Sequence, residues 1–381
     1  MAHLYQIIVL GNPTDDFLAE LRSRLEQFLD SFGLEIGNQV GWTVNPSALD
    51  ISQRIATVAM YVGAPSRVDM HLATLLSKSV PILPIVSDLT KVREEIPDVI
   101  RRLNCLSAQD AGVERIASAV LECIGLLPRQ RRVFLSYRRD EARETALQLF
   151  DELSARLFDV FLDTHRIGPA EDFQNSLWHR LCDSDVLLML DTPTYFESRW
   201  TRAEFGRALA KEISVLSIGW PGTALAPRAS TASRMELAER DIDPVSGRLS
   251  NDAIEEICAQ LERVRSESLA VRSLNLLSNI RLAAEKIGGT FHGIGMHMSA
   301  LIDLPDGREL TIFPTVGVPT ATTLYDAFEL CPTDRFAVAF DPVGFDKRWL
   351  NHLDWLEEQI PSARWIRSHE ASWCLADWED R

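Results

Sequence analysis

Trp200 and Glu204 stand four residues apart in Arg199-Trp200-Thr201-Arg202-Ala203-Glu204-Phe205, at the start of a helical pattern that follows a buried strand. A carboxylate beside a large aromatic, at the C-terminal edge of a parallel sheet, can stabilise the cationic transition state of glycosidic cleavage. The same residues support a plainer reading. Thr201-x-x-Glu204 also has the form of a capping box, in which Glu204 would satisfy only the start of its own helix. Trp200 suits a pocket wall or ordinary core equally well.

The elements that would position this pair come from two α/β segments. In the second, Val133–Tyr137, Asp159–Asp163, Val186–Leu190 and Ile213–Ile218 read as strands. Helical spacing falls between them, at Ala146 to Leu157, Phe173 to Leu181 and Arg202 to Lys211. One helix per crossover predicts a parallel sheet of about five strands. The first segment has the same rhythm, with strands at Tyr5–Leu10, Thr57–Val62 and Val80–Val86. Val58–Pro65 can be laid over Val186–Pro193, and Leu76–Leu83 over Leu209–Leu216. In that overlay His71 takes the place of Glu204, so a first copy of the fold would lack the chemistry. Either the chain repeats one fold or two unrelated α/β units share a common rhythm.

Residues 223–265 read as a polar linker followed by a charged helix from Asp252. A further helix is predicted from Leu269 to Lys286, then strands around the Pro305-Asp306-Gly307-Arg308 turn, as in a hairpin. A strand at Arg335–Phe340 and an amphipathic helix at Trp349–Ile360 complete a small α+β domain. Its tryptophans (Trp349, Trp355, Trp365, Trp373, Trp378) suit either a core or an interface. The expected domains are 1–127, 131–222, the 223–265 connection and 266–381.

Composition narrows the chemistry. The 381 residues carry a formal net charge of -16, which argues against direct nucleic-acid binding. Six dispersed cysteines without a C-x-x-C pair, and no signal-like N-terminus, suggest a cytoplasmic protein with reduced thiols. No apolar run reaches the ~18–20 residues of a membrane span. Histidine and cysteine spacing offers no metal site. No G-x-G-x-x-G, G-x-x-x-x-G-K-[ST] or G-x-S-x-G occurs, which disfavours a Rossmann dinucleotide site, a nucleotide triphosphatase and a serine hydrolase.

Four motifs in order, spanning about Arg131 to Gly222, resemble the bacterial Toll/interleukin receptor (TIR) domain. They are Val133-Phe134-Leu135-Ser136-Tyr137-Arg138-Arg139-Asp140; Val160-Phe161-Leu162-Asp163 with Ile167 to Phe173; Ser184-Asp185-Val186 leading to Thr192-Pro193; and Trp200-x-x-x-Glu204-Phe205. Ala170 stands where the family usually has Gly. The resemblance implies a flavodoxin-like parallel sheet, preceded by a TIR-like or similar α/β domain and followed by the α+β domain. It implies cleavage of NAD+ at the nicotinamide–ribose bond, with NAD+ as substrate and no further cofactor. Glu204 would be the catalytic carboxylate. Ser136, Tyr137, Arg138, Arg139, Asp163, Phe173 and Trp200 would line the substrate cleft, the two arginines meeting the pyrophosphate. Arg138 and Arg139 also read as solvated surface charge, and Asp163 as a cap on its own loop. Self-association, filament formation and a role in bacterial antiviral defence are further implications, and the first unit or the C-terminal domain is a candidate binder of an activating protein or nucleotide signal. A cyclase making a cyclic ADP-ribose-type signal and a non-enzymatic scaffold are the alternatives.

Overall fold

Runs of buried apolar residues with no polar alternation mark strands covered on both faces, as in parallel sheets flanked by helices. The computed structural model of the protein describes residues 3–52, 54–63, 70–162, 173–331, 335–360 and 364–378. Contacts divide the chain into two units, residues 1–129 with 295–297 and residues 130–294 with 298–381.

In the first unit the chain runs β1 (Tyr5–Gly11), α1 (Asp15–Ser31), β2 (Val40–Val44), β3 (Ala56–Val62), α2 (His71–Ser77), β4 (Ile82–Val86), α3 (Val92–Glu95), β5 (Leu106–Ser107) and α4 (Ala108–Cys123). The sheet order is β2-β1-β3-β4-β5, with every pairing parallel. Its core lies around Leu10, Tyr61, Leu72 and Leu75.

The second unit opens with β6 (Arg131–Ser136), α5 (Arg139–Ala155), β7 (Phe158–Phe161), α6 (Phe173–Cys182), β8 (Val186–Asp191), α7 (Arg199–Ala210), β9 (Ser214–Gly219) and β10 (Ser233–Glu236). Its order, β7-β6-β8-β9-β10, is again all parallel. Numbered within each unit, both sheets read 2-1-3-4-5, the flavodoxin-like order. β10 falls inside the stretch expected to be a linker. It is an edge strand, Ser-Arg-Met-Glu, with no apolar alternation to reveal it.

The two sheets also share their helix endings. Ser79 and Glu212, which coincide in the sequence overlay, both take positive φ (55° and 58°) after α2 and α7. Each is followed by the same return bond, Val80 N to Leu75 O at 3.0 Å and Ile213 N to Ala208 O at 2.8 Å. After α1 and α5 the left-handed residues are Gly33 (φ 68°) and Leu157 (φ 65°). Leu157 is 71% exposed, so its side chain contributes little packing to offset that backbone cost. Leu157→Gly is expected to stabilise the second unit by about 0.5–1 kcal/mol, read as a higher urea midpoint. A lowered midpoint would show that the side chain matters more than the backbone.

α8 (Asn251–Lys286) is one helix of 36 residues, not the two helices expected. Its first half packs Ile254, Ile257, Leu261 and Val264 into the core of the second sheet beside α5. Its second half packs on a third sheet, β11-β12-β13-β14-β15. That sheet runs β11 (Thr290–Ile294), β12 (Ala300–Asp303), β13 (Glu309–Thr315), α9 (Ala321–Leu330), β14 (Phe336–Phe340), α10 (Lys347–Gln359), β15 (Trp365–Arg367) and α11 (Ala371–Ala376). The expected hairpin is present: β12 and β13 pair antiparallel with Asp303 opposite Glu309, while β13, β14 and β15 are parallel. Trp365 and Trp378 are buried, Trp349 is half-buried, and Trp355 and Trp373 are exposed.

Polar groups join α8 to the N-terminal edge of the second sheet. Arg265, fully buried, donates from Nε to Asp185 Oδ2 at 2.8 Å. Asp185 also accepts from the backbone N (3.2 Å) and Nη2 (3.3 Å) of Arg132. Ser268 Oγ donates to Asp185 O at 2.7 Å and accepts from Ser214 N at 3.1 Å. Arg272 Nη1 donates to Ser184 O at 3.0 Å, and burial pulls its guanidinium down to about 10. Arg131 pairs with Glu262 and lies over the Phe158 ring at 3.6 Å. Arg131 with Glu262 and Arg132 and Arg265 with Asp185 are paired, while Arg272 is held by a backbone carbonyl, so each of these charges has a hydrogen-bond partner away from water.

Candidate active site

Alternation along β6 decides which side chains meet. Val133, Leu135 and Tyr137 face α5 and α8, while Phe134 faces α6 and α7. Ser136 shares the face of Phe134, two residues on. α7 buries Thr201, Glu204, Phe205 and Ala208, the i, i+3, i+4, i+7 face of one helix, so Glu204 points inward. β6 and β8 lie at the point where the strand order reverses, the usual place for a ligand in such sheets.

There Ser136 Oγ donates to Glu204 Oε2 at 2.5 Å and lies 2.6 Å from the Tyr195 hydroxyl. A serine hydroxyl has one proton to give. With that proton on Glu204, Tyr195 donates to Ser136, forming a relay from Tyr195 through Ser136 to Glu204. Ser136 and Tyr195 are buried, and Glu204 is 7% exposed. Burial, reinforced by the Glu204 charge, pushes the Tyr195 phenol well above its ordinary range. It therefore stays a proton donor near neutral pH. A second buried carboxylate, Asp191, ends β8 and pairs with Arg234 of β10. Burial raises the Asp191 pKa, against the hydrogen bond from Arg234.

The capping reading of Glu204 does not hold. The N-cap of α7 is Ser198, whose hydroxyl accepts from Trp200 N at 3.2 Å. Thr201 donates to Tyr195 O, and Glu204 lies in the second turn with its carboxylate on Ser136.

The other expected cleft residues are dispersed. Tyr137 is buried on the opposite face of the sheet from Glu204, in the α5–α8 core. Trp200 is 38% exposed at the edge of the buried face of α7, with the Arg199 guanidinium over its ring at 4.6 Å. Arg138 donates to Thr194 O at 2.6 Å and pairs with Glu197 at 3.5 Å. It thus braces the loop after β6 against the loop after β8. Glu141 adds to that brace. Partial burial works to raise its pKa, but donors at the loop after β8, among them Thr194 N at 3.3 Å, prevail and hold it below the usual range. Arg139, the first residue of α5, is exposed. Asp163 and the Phe173 side chain lie outside the described residues. Among the described residues no group of His, Cys, Asp and Glu is arranged to hold a metal ion, and no helix is long and apolar enough to cross a membrane.

Tyr195, Asp191 and Arg234 were not expected. No spacing signals them, because each reaches the site from a different element. Among the described residues the first unit shows no such relay. Leu10 pairs in register with Tyr61 as Ser136 pairs with Met189, so by the overlay a leucine occupies the serine position. His71, in the place of Glu204, turns its ring to Pro46 O at 2.8 Å.

Ser136→Ala removes the hydroxyl that links Tyr195 to Glu204 and leaves a buried phenol without its acceptor. The expected cost is about 1–3 kcal/mol, measured by urea denaturation. An unchanged midpoint would show that the relay does not contribute to stability.

A 2-1-3-4-5 parallel sheet with a buried carboxylate at its switch point defines an α/β domain of the flavodoxin-like class. Residues 133–241 match the family described as "TIR domain", so this chain contains a TIR domain. The match runs past the expected end at 222 and takes in β10. The crystal structure of a conserved domain protein from Vibrio cholerae is 13% identical, covering 91% of this chain and 98% of its own, with a TM-score of 0.20. That of tagatose-6-phosphate ketose/aldose isomerase from Escherichia coli is 12% identical over 70% and 81%, with a TM-score of 0.18. At such scores neither similarity carries an argument. No curated protein matches the chain.

Proposed function

We propose that the TIR domain is an NAD+ nucleosidase, with Glu204 as its catalytic carboxylate. The observation that carries this reading is the buried Glu204 carboxylate at the β6/β8 switch point, hydrogen-bonded to Ser136. The nicotinamide of NAD+ is a cationic leaving group and needs no protonation to depart. A general acid can therefore be omitted, and one carboxylate suffices to hold the ribose hydroxyls and stabilise the oxocarbenium-like transition state. A ribose hydroxyl would take over the role that Ser136 plays toward Glu204. The low exposure of the carboxylate strengthens its field on a developing cation.

The same reading includes self-association of the TIR domain as the activating step, within a bacterial antiviral defence setting. Head-to-tail contacts that do not close on themselves would give a filament. The test is to incubate the full chain with NAD+ at high protein concentration and separate the products. Nicotinamide with linear ADP-ribose supports hydrolysis. Nicotinamide with a cyclic product assigns the same carboxylate to a cyclase. No nicotinamide from assembled protein would leave the domain as a non-enzymatic scaffold.

A further inference from the structure

A cavity of about 780 Å³ lies in the second unit between α6 and α10, and it shares no lining residue with the Ser136–Tyr195–Glu204 relay. One wall is aromatic. Trp349 sits 5.5 Å from the His179 ring and 5.3 Å from that of His352, and its Nε1 is tied to Pro319 O at 3.0 Å. That tie fixes the indole as a rigid platform. Burial, above all, holds the His179 imidazole below its usual range, so near neutral pH it adds a flat ring without a charge.

The ionic residues of the cavity are unequal. Asp183 is occupied by Arg132 and by Val318 N at 2.9 Å. Asp346 caps α10 by accepting from Arg348 N at 2.7 Å. Arg180 and Arg348 are exposed at the cavity and have no ion pair among the described residues. On a chain of net charge -16, two guanidiniums without an ion pair among the described residues, beside an aromatic platform, form a local exception. Guanidinium forks bind phosphate, and base rings stack on indole and imidazole faces. The volume is within the usual range for small-molecule sites.

We propose that this cavity binds a nucleotide, its base stacked on Trp349 and its phosphate held by Arg180 and Arg348. α6 belongs to the TIR domain and α10 to the third sheet, so the ligand would bridge the two. The proposal does not depend on NAD+ cleavage.

The experiment uses the full chain with AMP and inorganic pyrophosphate as calorimetric probes and 8-azido-AMP as a photolabel. Saturable AMP binding is expected, with pyrophosphate at least about tenfold weaker for want of a ring to stack. Label is expected on peptides from 173–182 or 347–359. Arg180→Glu with Arg348→Glu, both on exposed side chains, is expected to weaken AMP at least about tenfold with an unchanged melting temperature. Glu204→Gln is expected to leave AMP binding and label positions as they are. Absence of saturable AMP binding at millimolar concentration would overturn the proposal. So would pyrophosphate binding as tightly as AMP, binding indifferent to the two charge reversals, or label confined to 195–210.

Discussion

Asp185→Ala is expected to destabilise the second unit by about 3–5 kcal/mol, seen as a large fall in the urea midpoint. The substitution leaves Arg265, fully buried, with its Nε facing a void instead of a carboxylate. It also removes two acceptor contacts of Arg132. Stranding a buried donor costs more than the net worth of the pair, because the Arg265 Nε loses its carboxylate while only its other contacts, such as Nη2 to Gln130 O at 3.3 Å, remain. Asp185→Leu combined with Arg265→Met removes both charges and is expected to recover most of the loss. A midpoint within the roughly 0.5 kcal/mol typical of surface changes would show that water reaches this site and that α8 is not held there by charge.

Glu204→Gln is expected to lower nicotinamide release by on the order of 10²–10³-fold, the usual effect of removing one transition-state stabilising group. Glutamine keeps the volume, and its carbonyl can still accept from Ser136 Oγ, so the fold is expected to persist. The deficit should appear in kcat more than in KM, since the carboxylate charge matters most when the ribose becomes cationic. A matching loss of thermal stability would instead mark Glu204 as a structural anchor of the relay.

The sheet strands of both units were largely legible because fully buried strands are apolar runs bounded by turn residues, as at Val186–Asp191 and Tyr5–Gly11. β2 (Val40–Val44), β5 (Leu106–Ser107) and β10 were not read as strands; β10, an edge strand of Ser-Arg-Met-Glu, has the composition of a loop, and its place depends on Arg234 reaching Asp191. The continuity of α8 was hidden by the polar run Arg265-Ser266-Glu267-Ser268, which resembles a break between helices. Arg265, Ser266 and Ser268 are buried there, and the contacts of Arg265 and Ser268 with the strand edges exist only in the folded state. At the site, Glu204 and Ser136 were legible from motif order. Tyr195 was not, because its hydroxyl reaches Ser136 only through the turn after β8. The spacing of Trp200 and Glu204 suggested a shared face. The inward face of α7 instead centres on Thr201, Glu204, Phe205 and Ala208, and Trp200 is left at its rim beside Arg199.

Nicotinamide release from NAD+, followed over a rising series of full-chain concentrations for the wild type and Glu204→Gln in parallel, tests the central assignment most directly. The expected result is release that climbs more steeply than protein concentration in the wild type and stays near background in the variant. Equal release by the two proteins, or none from the wild type at concentrations where it has assembled, would contradict Glu204 as the catalytic carboxylate.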